Sequence, residues 1–480
     1  MVKSIYNKRY FAFVLMFLFL LPLIFINRQI SSDWGGDFAM YINEAMNIAH
    51  FQSIDDTHYI YNENAPMLGP GIYPAGFPLM LAPICFLFGN NISVFIIYMS
   101  LLLIITALVI YVFFKDFFSA PVAAILTLTI VYNPWMLSFK NEVLADIPFT
   151  LFFILTLVFY LKKAPAWLTG IVMGFAILVK TAGFVLPAGF VLYYFYNLVK
   201  RKRYPGLVFT AIYALIFVFV INTVLKMPLG LGLYSGNFDF SSLKHNILLN
   251  ISLYIEIYQS FFYRVLHDWK FIMLVTRSAM LTFLIIGIIN VKKDLIYFIF
   301  VAYVFLLLVY PYHSSGFRFL LPVMPLLLLF ALYGFKSIKW RYKVDKRLIV
   351  IFAALVLLGQ YFPETVKLIE KRVEILPGPQ QKSSKEAFDF IKKNTVDGDV
   401  ILFTKPRVLA LYTGRNAVCN EISDSSKKLE ELLKNKNVKY ILTNSDLSNK
   451  AAERFLKQNG DKVDLIWQNT KFKFYRINQP

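Results

Sequence analysis

The chain has 480 residues, of which 58% are hydrophobic and 16% are charged. Soluble domains contain roughly 45–50% apolar and about 25% charged residues, so this composition excludes a water-soluble globule and indicates a membrane protein. The formal net charge is +20, but in a membrane protein the positions of Lys and Arg along the chain matter more than their sum. We therefore expect membrane lipids, and no nucleic acid, among the partners.

The first apolar run covers residues 10–27 and follows the basic residues Lys3, Lys8 and Arg9. It is longer than the roughly 7–15 apolar residues in the core of a signal peptide, and no small-x-small cleavage site follows it. The pattern predicts a retained first membrane helix with its N-terminal side in the cytoplasm.

The other apolar segments predict a polytopic α-helical protein, because a span needs roughly 20 apolar residues. We expect about eleven membrane helices, at residues 10–27, 93–114, 117–135, 144–161, 167–179, 184–198, 207–225, 271–291, 295–310, 319–335 and 348–362. Residues 79–88, between Pro78 and Gly89, are too few to cross and predict a re-entrant or interfacial helix. With that assignment Lys and Arg concentrate in the cytoplasmic connections, in agreement with the positive-inside rule.

The opposite side of the membrane then receives three polar segments. These are the first external loop at residues 28–78, a loop at residues 226–270, and a C-terminal tail from about residue 363 onwards. The five histidines also fall on that side or at its boundary, but their spacing suggests no zinc-binding triad.

The C-terminal tail differs in character from the rest of the chain. After the turn sequence LPGPQ at residues 376–380, SSKEAFDFIKKNT has helical apolar spacing and DVILFT is typical of a strand. Helical and strand patterns then continue to alternate. The sequence predicts a small extracytoplasmic α/β domain over residues 363–480, in addition to a multi-span domain over residues 1–362. The tail contains no Gly-rich phosphate loop.

Asp37 is the first candidate functional acid. Gly35 and Gly36 precede it and permit backbone conformations closed to other residues, and an amphipathic helix carrying Tyr41 and Glu44 is predicted to follow. An ionisable group near membrane depth is costly, which favours a functional role. The local sequence is also compatible with Asp37 serving only as a helix cap.

A second acidic pair, Glu142 and Asp146, stands at the predicted external start of the span at residues 144–161. Four residues apart on a helix, the two side chains would point to one face. Like charges there repel each other unless a cation or a metal lies between them. The competing interpretation is a hydrated helix terminus, where acids interact favourably with the helix dipole.

Two cations complete the set of candidates. Lys180 lies in LVKTAG at a tight external turn, and Arg318 lies in YPYHSSGFRFLLP just before a predicted span. Arg grips phosphate through two parallel hydrogen bonds and stays charged in any surroundings. Snorkelling towards the interface is the alternative for both residues. Arg318 is the stronger candidate because His313 and Gly316 crowd the same short loop.

Five motifs in order carry a resemblance to a known family: GGDFAMY, YPAGFPLMLAP, NEVLADIPF, LVKTAGFVLP and GFRFLLPVMP. Together they resemble glycosyltransferase family 39, within the GT-C membrane glycosyltransferases. That group includes protein mannosyltransferases, the aminoarabinose transferase of lipid A and core-sugar transferases of the rhizobial type. The resemblance extends over residues 33–325, and the order of the motifs is more specific than any one of them.

The resemblance implies an inner-membrane enzyme that moves a hexose or pentose from a polyprenyl phosphate to a hydroxyl of a lipid, glycan or protein, usually with inversion. Lipopolysaccharide is one such acceptor. Asp37 matches the catalytic base of the family, and Glu142 and Asp146 match acids that hold a substrate or a divalent ion such as Mg²⁺ or Mn²⁺. Lys180 falls where relatives often have Arg, and Arg318 falls in a basic loop suited to the lipid phosphate. Both are expected to bind substrate or phosphate. Phe38 departs from the pattern, because the mannosyltransferases have a second acid there.

Three further side chains are expected to contact substrate: Tyr41 and Tyr73, which lie in the same motifs, and His313, which lies three residues before the last motif. The chemistry agrees with a single essential acid. Attack by a hydroxyl needs one carboxylate to remove its proton, whereas a phosphate leaves as an anion without a general acid. Glycoside hydrolases, in contrast, use two carboxyl groups.

Two other classes of function remain open from the sequence. A transporter or flippase of lipid-linked glycans would carry charged residues near mid-membrane, often on broken helices. An oligosaccharide polymerase or ligase would place catalytic cations in the late loop at residues 226–270. The candidates identified above instead cluster at the external ends of spans, which favours the glycosyltransferase.

Overall fold

The computed structural model describes residues 12–26, 30–65, 73–226, 243–260, 270–310, 313–338, 345–370, 375–421 and 424–478. These residues form two compact units. The helical unit comprises the described residues of Met1–Arg28, Ile96–Met227 and Tyr234–Arg372. The mixed unit comprises the described residues of Gln29–Phe95 and Val373–Pro480.

The helical unit is built from apolar α-helices joined by short connections. Their bounds are Ala12–Ile24 (ending in a 3₁₀ turn), Ile92–Phe114, Ala120–Val131, Pro134–Phe139, Asp146–Leu161, Ala166–Val179, Val185–Val199, Pro205–Leu225, Leu243–Ser260, Lys270–Asn290, Leu295–Val309, Met324–Ser337 and Lys346–Glu370. Two 3₁₀ segments, Thr181–Phe184 and His313–Val323, lead into the helices that follow them.

Five helices within the described residues are long and apolar enough to cross a membrane: Ile92–Phe114, Thr181–Val199, Pro205–Val224, Gly316–Ser337 and Lys346–Leu368. Several shorter apolar helices accompany them. Helices suit this environment because they satisfy their own backbone hydrogen bonds where no water is present. The protein is therefore a mostly helical membrane protein.

Helix boundaries correct the expected spans at two places. The span expected at residues 117–135 is broken after Val131, because Asn133 caps a new helix by accepting a hydrogen bond from Trp135 N and Pro134 follows it. The last span, expected to end at residue 362, continues to Glu370 with Pro363 inside the helix.

The loop expected at residues 226–270 also contains regular structure. An 18-residue helix runs from Leu243 to Ser260 and packs against Leu295–Val309. Asn250 on this helix donates hydrogen bonds to the carbonyl oxygens of Leu308 and Tyr310. The polar residues of this segment had favoured a loop, but some of them serve in contacts between helices. Residues 227–242 and 261–269 of the expected loop lie outside the described residues.

The mixed unit contains one five-stranded sheet, with strands β1 (Val400–Leu402), β2 (Asn416–Val418), β3 (Val438–Asn444), β4 (Val463–Gln468) and β5 (Phe472–Ile477). The strands lie in the order β2-β1-β3-β5-β4. β1 is parallel to β2 and β3, whereas β5 is antiparallel to β3 and β4. The helices that precede β1, β2, β3 and β4 in the chain are, in order, Lys382–Asn394, Pro406–Thr413, Ser426–Asn435 and Lys450–Gln458. The 3₁₀ turn Gly460–Lys462 follows the last of them.

The first loop belongs to this mixed unit and contacts the sheet region directly. It supplies the helices Asp37–Ala49 and Gly76–Phe88, the second of which covers the segment expected at residues 79–88. Tyr59 pairs with Ala417 of β2 in a parallel β-bridge. The Trp34 ring packs against Phe388, Phe403 and Phe472. Residues 29–95 thus group with the C-terminal residues, and not with the multi-span part to which the sequence assigned them.

Candidate active site

Asp37 is the first residue of the helix Asp37–Ala49, and Gly36 holds the N-cap position before it. Asp37 is therefore not the cap of this helix, and the alternative that the local sequence allowed is wrong. Asp33 instead stabilises the preceding turn by accepting a hydrogen bond from Gly35 N at 2.7 Å. The Asp37 carboxylate is directed to groups far away in the sequence.

Two side chains contact the Asp37 carboxylate within the mixed unit. The Tyr73 hydroxyl donates a hydrogen bond of 2.7 Å to Asp37 Oδ1. Arg407 Nη1 lies 3.4 Å from the same oxygen and 3.3 Å from the Tyr73 hydroxyl oxygen. We call Asp37, Tyr73 and Arg407 the Asp37 cluster. The predicted substrate contact of Tyr73 stays a prediction, and its described role is to support the acid through this hydrogen bond.

Arg407 is contributed by the short helix Pro406–Thr413. Its guanidinium group packs over the rings of Tyr59 and Tyr73, with its central carbon 5.5 and 5.6 Å from the two ring centroids. Burial acts to lower the pKa of Arg407, but Tyr73 and Asp37 outweigh it and raise that pKa above its ordinary value. The guanidinium is therefore a permanent buried charge.

Burial also raises the pKa of Tyr73, and the negative charge of Asp37 raises it further, although Arg407 acts in the opposite direction. The phenol thus stays protonated and serves as a donor to Asp37. Tyr41, one helical turn after Asp37, packs its ring against Tyr73 and Phe77 at centroid distances of 4.9 and 5.0 Å. The predicted substrate contact of Tyr41 stays a prediction, and its described role is to hold the Tyr73 ring.

Asp146 is the buried centre of a second cluster, in the helical unit. Lys180 Nζ lies 2.5 Å from Asp146 Oδ1. Arg318 Nε lies 3.2 Å from Asp146 Oδ2. We call Asp146, Lys180 and Arg318 the Asp146 cluster. The sequence had identified all three as site residues, and the structure brings them together from three separate segments.

Local backbone geometry explains how the two cations reach Asp146. Lys180 ends the helix Ala166–Val179 in an extended conformation, and its carbonyl accepts a hydrogen bond from Gly183 N. A Cβ atom at Gly183 would lie 2.6 Å from Ile177 N, so only glycine fits this tight turn. Arg318 follows a kink at Gly316, whose φ of 58° favours glycine. The LVKTAG and SSGFR motifs therefore encode the positions of the cations.

Glu142 does not join Asp146 as the sequence suggested. The helix begins only at Asp146, and Glu142 lies in the irregular segment before it, where its side chain is exposed. The expectation that the two acids share a helix face is therefore wrong, because that expectation assumed a helix that starts earlier. The position of the His313 side chain lies outside what the structure describes.

The described residues do not favour a divalent metal at the two predicted acids. No group of three or more His, Cys, Asp or Glu side chains in the described part of the chain is placed to bind a metal ion. Both oxygens of Asp146 face cationic side chains. A metal ion bound through Asp146 would have to displace Lys180 and Arg318, so we derive no chemical step through a metal.

The two clusters differ in which group is exposed. In the Asp37 cluster the acid side chain is 32% exposed and the Arg407 side chain only 3%. In the Asp146 cluster the acid is 2% exposed, while Lys180 and Arg318 are 16% and 24% exposed. The first cluster therefore presents a carboxylate to its surroundings, and the second presents cations.

Arg407 is the site residue that the sequence analysis missed. It stands 370 residues from Asp37 in a part of the chain where Lys and Arg are common. The signal that could have identified it is its place in the helix PRVLALYT, where most neighbours are apolar and buried. An arginine among buried apolar residues needs a partner for its charge.

Comparisons with solved structures show a common fold. ArnT from Cupriavidus metallidurans bound to undecaprenyl phosphate is 13% identical, with 96% of this chain and 97% of that chain covered and a TM-score of 0.60. The oligosaccharyltransferase AglB from Archaeoglobus fulgidus, in complex with an inhibitory peptide and a dolichol-phosphate, is 13% identical, with 91% and 70% covered and a TM-score of 0.55. The arabinofuranosyltransferase AftD from Mycobacteria is 10% identical, with 98% and 40% covered and a TM-score of 0.57.

These three proteins are GT-C glycosyltransferases, so the resemblance predicted from the motifs is confirmed at the level of the fold. A comparison with curated protein sequences gives no match. A protein-family model described as "Predicted membrane protein (DUF2079)" matches residues 35–476. That match covers most of the chain, including all the residues of both clusters, and the protein therefore belongs to the DUF2079 family of membrane proteins.

Proposed function

We propose that the protein is a membrane glycosyltransferase that takes a sugar from a polyprenyl phosphate and attaches it to a hydroxyl group of a lipid, glycan or protein. The observation that carries this proposal is the opposite exposure of the two clusters, an accessible carboxylate supported by a buried cation and accessible cations supported by a buried carboxylate. The reaction needs an accessible carboxylate to take a proton and accessible cations to bind a phosphate. The shared fold with GT-C enzymes, and the lipid phosphates bound by ArnT and AglB, add support.

Asp37 is the general base in this proposal. The acceptor oxygen attacks the anomeric carbon of the donor sugar and forms the new glycosidic bond, while the bond from that carbon to the phosphate oxygen breaks. Asp37 takes the hydroxyl proton, and the bonding electrons leave with the phosphate. Attack from the face opposite the leaving group inverts the anomeric configuration. Tyr73 holds the carboxylate through the hydrogen bond to Oδ1.

Lys180 and Arg318 bind the phosphate of the donor and stabilise the charge that develops as it leaves. Fixed cations in a site with little water stabilise such charge strongly, because they need no reorganisation during the reaction. Asp146 is their buried counter-ion, which holds both side chains in place before the donor arrives. Exposed Glu142, and His313, remain further substrate-contact predictions.

The membrane topology forms part of the proposal. About eleven helices, the number expected from segments of roughly 20 apolar residues, cross the cell inner membrane with the N-terminal side in the cytoplasm. The distribution of Lys and Arg supports this orientation. The C-terminal residues then lie outside the cytoplasm, where polyprenyl-phosphate sugars of the external leaflet are available.

The experiment is transfer of radiolabelled sugar from a panel of polyprenyl-phosphate pentoses and hexoses to acceptor membranes, by purified wild-type protein and Asp37→Asn. General-base catalysis contributes about 10²–10⁴-fold, so we expect the folded variant to lose turnover by that factor. Its thermal midpoint should fall as well, because the buried Arg407 loses the charge of its partner. Each reaction is repeated with EDTA, and we expect no loss because cations already occupy the Asp146 carboxylate.

Full turnover by a folded Asp37→Asn variant would contradict the assignment of the base. If the folded wild type transfers no sugar from any donor but moves a lipid-linked glycan across vesicles, the protein is a transporter. AglB shares the fold, so a preassembled lipid-linked oligosaccharide belongs in the panel. Transfer of that donor alone would favour an oligosaccharide ligase.

A further inference from the structure

Arg407 connects the C-terminal sheet region with the acid of the first loop, and its contacts suggest more than stabilisation of the fold. The side chain is almost fully buried, yet it lies against the partly exposed carboxylate of Asp37. Burying an unpaired guanidinium is costly, and a buried charge therefore pairs with an acid where one is available. Two acids of the same helix are near enough to act on Arg407, and the one that it contacts indicates its role.

A second acid, Glu44, lies on the same helix as Asp37 and is 1% exposed. Burial raises the pKa of Glu44 well above its usual range, with Arg407 acting to lower it and Asp55 to raise it. Neither carboxyl oxygen of Glu44 has a hydrogen-bond partner within the described residues. Arg407 thus contacts the exposed acid and not the buried one, although it interacts electrostatically with both.

Arg415, eight residues later, shows what an arginine with a purely structural role looks like in this unit. It binds Thr395, Asp397 and the carbonyl oxygen of Lys392. All these partners belong to the same C-terminal region. Arg407 differs because it contacts Asp37, Tyr73 and the Tyr59 ring, all from the first loop.

We propose that Arg407 is a positioning residue for Asp37, so that the C-terminal sheet region completes the catalytic site. This role rests on the proposed function of Asp37 as the base. Arg407 and Tyr73 lie against the same carboxylate oxygen, which fixes the rotation of the carboxyl group.

The test is carbodiimide labelling of the full-length protein, with peptide mapping by mass spectrometry. Carbodiimide attaches to a carboxyl oxygen, and Arg407 Nη1 lies 3.4 Å from Asp37 Oδ1. Removal of the guanidinium in Arg407→Met should therefore uncover that oxygen and raise the labelling of Asp37 several-fold. Arg407→Lys keeps a cationic donor beside the carboxylate and should label close to the wild-type level. Asp33, four residues away, is the internal control for general access to this loop.

Arg415→Met is the matched control, because it removes an arginine of the same region that does not contact Asp37. It should lower the thermal midpoint and leave the labelling of Asp37 unchanged. Unchanged Asp37 labelling in an Arg407→Met protein that is folded by its thermal midpoint would overturn the proposal. If Arg407→Met does not fold, Arg407→Gln is measured in its place, with the same two outcomes.

A second measurement separates this inference from the proposed function. With a donor that the wild type uses, Arg407→Met should lower kcat with little change in KM, and Arg407→Lys should restore part of kcat. If no donor is transferred even by the wild type, the labelling still decides whether Arg407 holds the Asp37 carboxylate in place. Equal losses in Arg407→Met and Arg415→Met would indicate a structural role alone.

Discussion

The Asp37 cluster and the Asp146 cluster contain the same kinds of groups, a carboxylate and cationic side chains, but they expose opposite members. Arg407 is buried behind a partly exposed Asp37, whereas Asp146 is buried behind partly exposed Lys180 and Arg318. An ion pair alone therefore does not identify the reactive group. The exposed member can meet a substrate, and the buried member holds it in place and compensates its charge.

This comparison assigns a different role to Asp146 than the sequence did. From the sequence, Asp146 was a candidate to hold substrate or metal. In the structure each of its oxygens faces a cation, so its proposed role is to position the phosphate-binding side chains. The two clusters belong to different compact units, and each gains its charged partner from a segment distant in sequence.

The largest expected effect comes from removing the buried acid of the second cluster. Asp146→Asn leaves Lys180 and Arg318 without their counter-ion, and loss of one partner of a buried pair costs about 3–5 kcal/mol. Because both cations are partly solvated, we expect the lower end of that range. Chemical unfolding of the purified variant in detergent measures the loss.

Glu256→Gln is the control for Asp146→Asn, because Glu256 is an exposed acid on the helix Leu243–Ser260 of the same unit. It should leave the free energy of unfolding within about 0.5 kcal/mol of the wild type, as is usual for surface substitutions. If both variants were equally stable, Asp146 would not be the buried support of the cations, and the contrast between the clusters would fail.

A smaller effect, dependent on pH, is expected at Glu44. Burial raises the pKa of Glu44 in the folded protein, whereas an unfolded Glu has a pKa of about 4.3. The folded state therefore binds the proton more tightly. The stability that this proton contributes is complete below the unfolded pKa and is lost as the pH rises through the folded pKa.

Glu44→Gln cannot ionise, so its thermal midpoint should match that of the wild type near pH 4 and exceed it increasingly as the pH rises. The measurement is a series of thermal midpoints against pH for both proteins. Glu430→Gln, an exposed residue of the helix Ser426–Asn435, is the control and should follow the wild type. A variant that becomes less stable than the wild type at high pH would show that Glu44 is ionised and paired.

Much of the helical unit could be predicted because apolar length is a strong signal in a membrane protein. The short helix expected at residues 79–88 is present as Gly76–Phe88. The break at Asn133 was overlooked because apolar residues continue on both sides of it. The helix Leu243–Ser260 was missed because Lys244, His245 and Asn246 gave it the composition of a loop.

The candidate site was predictable where an ionisable residue stands out against apolar sequence. Asp146, Lys180 and Arg318 were identified in this way, although their mutual contacts were not. Arg407 lies in a charged, soluble-like region, where an arginine stands out only through its apolar neighbours in PRVLALYT. Its contact with Asp37 depends on the folding of the first loop against the C-terminal sheet region, which local sequence patterns do not encode.

The most direct test of the division of roles is equilibrium binding of undecaprenyl phosphate to the wild type, Asp37→Asn and Arg318→Met. If the exposed cations bind phosphate and the exposed acid acts only in the chemical step, Asp37→Asn should bind as tightly as the wild type and Arg318→Met at least about tenfold more weakly, the effect of about 1.4 kcal/mol. Wild-type affinity in a folded Arg318→Met protein, or lost affinity in Asp37→Asn, would contradict the account.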